Sequence, residues 1–356
     1  MDIMSYISRK GGLLLALALA YMTVCSCNGV IYDDEGDCTP HYRVKFRYDY
    51  NMKYADAFAH EVGVVTLYLL DGNDSIVWRR TERGEALAAD GYAIDIDGDI
   101  PPGKYSLTAW CGTDDRRSFV VPDGDRGRQL TCRLNREYTA GGGAFVDKDL
   151  DRLFYGRLDN LTFSGGEGVY TYTVPLVKNT NNIRVVLQNL TEGEALDDSQ
   201  FSFFITSDNG FMDWDNSLIA DETVTYRAWY TGTASADFDG GTGEEEGEGG
   251  NAGGTRQTVV GVQNAVVAEL TTSRLVKGRE TRLVIVNNGT GAEVLNIPLT
   301  DCALLVKGYY NRDMSDQEFL DRQDVFDLVF FLKNGSWLGS QVYINSWRIV
   351  LQDTEL

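Results

Sequence analysis

A single thiol carries the clearest chemistry in this sequence. Cys27 follows Val24-Cys25-Ser26 and closes an apolar run over residues 13–24, itself preceded by Arg9 and Lys10. A positive start, a short apolar middle and a small residue before a cysteine form the pattern of a lipoprotein export signal. The implied chemistry is thioether formation. The Cys27 sulfur takes a diacylglycerol, cleavage before it frees the amine, and the amine takes a further acyl chain. Cys25 is the weaker position, because the large Val24 would then occupy the cleavage site. A membrane helix needs about 20 apolar residues and twelve are present, so residues 1–26 read as a removed signal and not a span. Each buried acyl CH₂ contributes about 0.8 kcal/mol, and stable attachment takes two or more chains. A multiply acylated Cys27 therefore suffices to hold the chain at a membrane.

No other residue pattern points to catalysis. Of two histidines, His41 and His60, each reads as a surface or turn residue. Nucleophile elbow, metalloprotease helix and phosphate-binding loop are all missing from the sequence. Asp95-Ile96-Asp97-Gly98-Asp99 resembles the start of a calcium loop, but its glycine is fourth instead of sixth and Ser106 stands where the closing glutamate belongs. Strand alternation puts those aspartates on a wet face. Glu244-Glu245-Glu246 among glycines would repel a phosphate. Neither an enzyme, nor a cofactor, nor a metal site is expected.

The formal charge of −21 excludes nucleic acid as a partner and leaves no basic patch for anionic lipid. The removed segment carries one net positive charge, so the mature chain stands near −22. Once Cys25 has left and Cys27 is acylated, Cys38, Cys111, Cys132 and Cys302 remain in an oxidising envelope, where three pairings are open. Cys111 falls in phase with Leu107 and Ala109, and Cys132 with Leu130 and Leu134. Both face inward, as a disulfide or as two buried thiols.

The elements around these residues are overwhelmingly of period two. Tyr42, Val44, Phe46 and Tyr48 alternate with Arg43, Lys45 and Arg47, the mark of a half-buried strand. The same alternation recurs at Tyr92-Ile94-Ile96, Tyr105-Leu107-Ala109, Tyr170-Tyr172-Val174, Leu283-Ile285, Phe326-Leu328-Phe330-Leu332 and Trp347-Ile349-Leu351. Turn residues fall between, as at Asp71-Gly72-Asn73-Asp74 and Asn288-Gly289. Ser315-Asp316-Gln317-Glu318 before Phe319-Leu320 predicts one short capped helix. Trp110 and Trp347 read as core residues. The expected organisation is an acidic lipid-proximal linker over 27–40, an N-terminal β-sandwich over 41–180 and a C-terminal β-sandwich over 181–356. The polar run Lys178-Asn179-Thr180-Asn181-Asn182 marks the boundary, and a flexible Gly/Glu-rich loop covers 231–255.

Longer blocks carry a family resemblance. Ile31-Tyr32-Asp33-Asp34-Glu35-Gly36-Asp37-Cys38, then Asp49-Tyr50-Asn51-Met52-Lys53-Tyr54 within 44–62, resemble the fimbrium anchor lipoproteins of Bacteroidota. So do Leu153-Phe154-Tyr155-Gly156, Gln317-Glu318-Phe319-Leu320-Asp321-Arg322-Gln323-Asp324 and Ile344-Asn345-Ser346-Trp347. The resemblance implies two tandem transthyretin-like, Greek-key β-sandwiches in an all-β chain. It implies an outer-membrane lipoprotein, acylated at Cys27 and exposed at the cell surface, that anchors the base of a fimbrium and limits its length. Its partner would be a fimbrillin stalk subunit joined by β-strand complementation. Because the lipid is at the N-terminus, the first strand must stay uncut. The chain would then donate a strand, with 342–356 the candidate, unless that segment is simply the last of the second domain. Arg43, Lys45 and Arg47 sit inside a patterned strand, a poor cleavage loop, which argues against a fimbrial tip adhesin. A surface glycan-binding lipoprotein is the other alternative, and it calls for exposed aromatics grouped on one face.

Overall fold

The computed structural model describes residues 39–113, 117–190, 196–238, 261–308, 311–333, 336–338, 342–345 and 347–349. Cys27, Cys38, the signal, the linker up to residue 38 and the tail beyond 349 lie outside them.

The chain is all-β. Its N-terminal half supplies β1 (Pro40–Arg47), β2 (Val64–Asp71), β3 (Ile76–Arg83), β4 (Ile94–Ile96), β5 (Gly103–Cys111), β6 (Phe119–Val120), β7 (Cys132–Leu134), β8 (Glu137–Tyr138), β9 (Ala144–Val146), β10 (Phe154–Phe163) and β11 (Gly168–Lys178). The second half supplies β12 (Thr180–Asn189), β13 (Phe201–Ser207), β14 (Phe211–Met212), β15 (Val224–Arg227), β16 (Tyr230–Phe238) and β17 (Gly261–Ser273). It continues with β18 (Thr281–Asn287), β19 (Glu293–Pro298), β20 (Val325–Lys333), β21 (Ser336–Trp337), β22 (Val342–Ile344) and β23 (Trp347–Ile349). Helices are short: α1 (Phe58–Glu61), α2 (Leu299–Leu305) and α3 (Asp316–Arg322). One compact unit takes in the described residues of 42–164 and 171–349, and residues 39–41 with 165–170 are grouped apart from it.

The first sheet runs β3-β2-β5-β10-β11-β1-β4. Edge-ward β1 alternates strictly, with Tyr42, Val44 and Phe46 buried. Central β2 is apolar on both faces because both are covered. On one face Leu67, Leu69, Leu107 and Ala109 are buried. There too Phe163 stacks on Tyr42, ring centroids 4.0 Å apart. On the other, Tyr68 and Trp110 join a cluster with Phe119, Leu130 and Cys132. The Trp110 indole N–H donates to the Leu130 carbonyl at 2.9 Å, so its core assignment holds.

Two further sheets follow. One has the order β16-β17-β12-β20-β22-β23, with β21 added to β20; the other runs β19-β18-β13-β15-β9-β8. Their inner faces meet in the same continuous apolar cluster that holds Tyr68 and Trp110, here through Ile183, Val185, Leu328, Phe330, Ile205, Leu283 and Ile285. Strand β9, from before the expected boundary, pairs in parallel with β15, so the second core draws on residues 144–146.

Two expectations need correction. Residues 231–238, read as the start of a flexible loop, form β16, in register with β17 from Tyr230↔Glu269 to Phe238↔Gly261. A ladder is satisfied by backbone groups whatever the side chains bury, so small and polar residues there hid the strand; 239–255 lie outside the described residues. Lys178-Asn179-Thr180-Asn181-Asn182, polar and turn-forming by composition, instead ends β11 and begins β12, with Lys178, Asn179, Thr180 and Asn181 all buried. The capped helix is present as α3, where the Ser315 side chain accepts from the Glu318 backbone N–H at 3.0 Å.

Candidate functional site

The passage from β11 to β12 is where polar chemistry is concentrated inside the body. β11 buries every second residue at its end, Val174, Leu176 and then Lys178. The Lys178 side chain is 3% exposed, and its ammonium lies 3.1 Å from Glu61 on α1 and in contact with Asp324 after α3. Arg152 reaches Glu61 from outside at 3.3 Å. Tyr48 is buried nearby with its hydroxyl unpartnered. Burial first, then the Asp324 and Glu61 charges, raise its pKa above the ordinary phenol value.

The following asparagines are held as firmly. Asn179 and Asn216 exchange amide hydrogen bonds of 2.6 and 3.2 Å in full burial. Asn181 donates to the Gln323 carbonyl at 3.2 Å and accepts from the Leu275 N–H at 3.1 Å. The Asn182 N–H donates to the Asp324 carbonyl at 2.8 Å. Buried amides are stable only when so satisfied. A run that looks like a linker by composition is therefore a polar joint.

Helix α3 braces the joint from the other side. Asp321 is buried and takes a bidentate pair of 2.7 Å bonds from Arg274. Arg322 lies over Tyr50 and Tyr54, 4.1 and 4.7 Å from the ring centroids. Its carbonyl accepts from the Met52 N–H at 3.2 Å. Asp49-Tyr50-Asn51-Met52 and Gln317–Asp324, two blocks that carried the family resemblance, thus pack together although 273 residues separate Asp49 from Arg322. Asp316, at the helix start, is held by Lys277 and Lys307, whose hydrogen bonds pull its pKa down to about 2.

The sequence-predicted site residue, Cys27, lies outside the described residues, as does Cys38. Cys111, Cys132 and Cys302 are buried free thiols. Cys111 shares the Leu107–Ala109 face of β5, whereas Cys132 packs with Trp110 on the opposite side. Residues that both face inward by phase thus enter different core layers. Burial pushes all three thiols up, Cys302 to about 12. His41 and His60 are exposed. Asp95 pairs with Arg43 at 2.8 Å, and Asp97 accepts the Trp78 indole N–H at 2.8 Å. Among the described residues no helix is long and apolar enough to cross a membrane. Lys178 is the residue sequence reasoning missed. Its signal was phase, since a lysine two places after Leu176 falls on the buried face.

The C-terminal candidate donor is engaged in its own sheet over its described part. β22 pairs with β20 and β23 with β22, in register Val342↔Ile349 to Ile344↔Trp347. That places β16 and β23 at the two edges of the sheet.

With this geometry, the chain matches over residues 34–353 the family model described as fimbrillin-A associated anchor proteins Mfa1 and Mfa2. No curated relative matches it. Among solved structures, a candidate adhesin of Bacteroides thetaiotaomicron is 33% identical, with TM-score 0.74 over 90% of this chain and all of that one. A candidate polysaccharide-binding protein of the same species is 28% identical, with TM-score 0.71 over 89% of this chain and 99% of that one. The fimbrial anchor protein Mfa2 of Porphyromonas gingivalis is 17% identical, with TM-score 0.61 over 88% of this chain and all of that one, a likeness of fold.

Proposed function

The chain belongs to the fimbrillin-A associated anchor protein family, and from that premise we propose that it fastens the base of a fimbrium to the outer membrane through lipid on Cys27 and limits fimbrial length. The family is a structural one of fimbriae, not a known enzyme family. The observation that carries the reading is where the match begins. It starts at residue 34, a few residues beyond Cys27, and runs on through both halves of the chain. Only residues 28–33 stand between the acylation motif and the matched region, so a pull on the fimbrium would reach the bilayer through the matched region, this short segment and one thioether.

The joint supports this use. Lys178, Asn179 and Asn181 are buried and bonded to α1, to Gln323 just after α3 and to Asn216. A chain under tension is better served by such a joint than by a hinge. Strand β1 supports an uncut N-terminus. Its Tyr42, Val44 and Phe46 are core residues, and Arg43 is tied to Asp95, so proteolysis there would open the first core. The stalk partner is a fimbrillin, met by β-strand complementation. Because β22 and β23 already serve the second large sheet, a donated C-terminal strand must come from residues beyond 349, and the edges β16 and β23 are where an incoming strand would add. Length limitation follows if the anchor offers a joint on one side only.

The test is Cys27→Ala in cells, with fimbriae followed by fractionation and electron microscopy. The variant is expected to shed fimbriae into the medium or carry abnormally long ones. Normal length and retention on the cell would refute the anchor.

A further inference from the structure

The outer face of the sheet containing β16, β17, β12 and β20 carries a groove that anchoring does not use. Register places Tyr230, Glu269, Arg184 and Asp327 in one row across these four strands. Their neighbours Ile183, Leu270 and Phe326 point into the core, so the row faces out. Trp229 stands at its end, with its backbone N–H donating to the Glu269 carbonyl at 3.0 Å. Two adjoining depressions of about 310 and 220 Å³ share Arg184, Trp229 and Glu269, and the second extends to Asn182 and Asp327.

Three properties of this groove define a ligand. First, it has an aromatic wall: Trp229 is 38% and Tyr230 50% exposed, their ring centroids 6.2 Å apart and their planes tilted by 48°. Second, its polar groups are unspent. Opposite charges facing each other across strands ordinarily pair. Yet the side chains of Arg184, Glu269 and Asp327 make no hydrogen bond or ion pair among the described residues, although other charged rows do, as Arg43 does with Asp95. The guanidinium donors and two carboxylates are therefore free to meet a ligand rich in hydroxyls, which both donate and accept. Third, the charge is wrong for an anion, with Glu269, Asp327 and the lining Asp149 against one arginine.

We propose that this groove binds a neutral glycan, one pyranose lying with its C–H face on Trp229 and its hydroxyls bonded to Arg184, Glu269 and Asp327. Aromatic faces are electron-rich and attract polarised C–H groups, and the carboxylates and guanidinium supply the few oriented polar contacts that confer specificity in such sites. A peptide strand would instead add to the outer backbone edge of β16, where these side chains do not lie. The chain would thus hold a surface polysaccharide as well as a fimbrium.

The purified full-length chain is screened against neutral hexose oligosaccharides and uronate-containing ones, and the hits are measured by calorimetry. The wild type is expected to bind the neutral set. Trp229→Ala and Arg184→Gln should each weaken binding about tenfold, equivalent to about 1.4 kcal/mol, with thermal unfolding unchanged because both side chains are exposed. Trp78→Phe, on the first sheet, should bind as wild type. The proposal is overturned if no neutral oligosaccharide binds, if only the acidic set binds, or if Trp229→Ala binds as tightly as wild type. It is equally overturned if Trp229→Ala loses a purified stalk subunit while the wild type captures no glycan. Fimbrial retention in the Cys27→Ala strain has no bearing on these outcomes, so the two readings fail separately.

Discussion

Lys178→Met is the sharpest probe of the joint. Methionine keeps an unbranched apolar stem in the pocket and removes only the charge. The lysine is 3% exposed and faces two carboxylates, Glu61 and Asp324, that keep 27% and 26% of their side-chain surface. Breaking a buried ion pair by removing one member costs about 3–5 kcal/mol, because the other charge is left stranded. Here the stranded carboxylates retain about a quarter of their contact with water, and Arg152 still stands 3.3 Å from Glu61. The cost should therefore fall to about 2–3 kcal/mol. In a body of about 300 residues that lowers Tm by roughly 3–5 °C.

Denaturant titration of wild type, Lys178→Met, Asp324→Asn and the double variant gives the coupling directly. Neighbours in one network couple by about 0.5–3 kcal/mol, while independent sites add to within about 0.5. A coupling above about 1 kcal/mol is expected. It should come with a broadened or split transition in the single variants as the two halves lose their common support. A single-variant cost below about 0.5 kcal/mol, the scale of a surface substitution, with additive behaviour in the double variant, would refute the joint.

Two further outcomes follow from the titrating groups. Asp316 has a folded pKa of about 2, below its ordinary 3.8. The ionised group therefore stabilises the fold above about pH 4, and its contribution disappears as pH falls through 2. The stability gap between wild type and the Lys277→Met, Lys307→Met variant should thus be open at pH 6 and closed near pH 2. A gap of equal size at both would contradict the assignment. Cys111, Cys132 and Cys302 should resist alkylation at pH 8 until the chain unfolds, since burial keeps them as thiols. Mass mapping that finds any of the three modified rapidly in the native chain would be inconsistent with their placement.

What the sequence made legible was whatever its period could encode. Tyr42-Val44-Phe46 and Phe326-Leu328-Phe330-Leu332 alternate because one face of each strand meets a core, and both form strands. Ser315 before an acidic turn announces α3, since a cap is local chemistry. The misses are of two kinds. β16 is an edge strand of small and polar residues, held by its ladder to β17, and a ladder leaves no trace in side-chain pattern. The joint was hidden by composition. Lysine and three asparagines resemble a loop until their partners are known, and those partners, Glu61, Asn216, Gln323 and Asp324, lie far away in the chain. The Arg184–Trp229 groove needed the registers of three strand pairs, and no local reading contains them.

The joint also bears on where a stalk could attach. If 178–182 were a hinge, the two halves could reorient and any sheet edge could serve as the docking edge. With Lys178, Asn179 and Asn181 satisfied on both sides, reorientation would break buried hydrogen bonds, each leaving groups whose desolvation costs about 1–3 kcal/mol. The edges therefore keep a fixed relation to β1, the described strand nearest to Cys27 in sequence. Between β16 and β23 the difference is then one of chemistry. The face beside β16 carries the unpaired Arg184, Glu269 and Asp327, and β23 closes a hairpin on β22. A stalk strand adding at β23 leaves the groove by Trp229 open; one adding at β16 would crowd it. Holding both a glycan and a fimbrium requires the first arrangement, so blocking the β23 edge should free the stalk while sparing glycan binding.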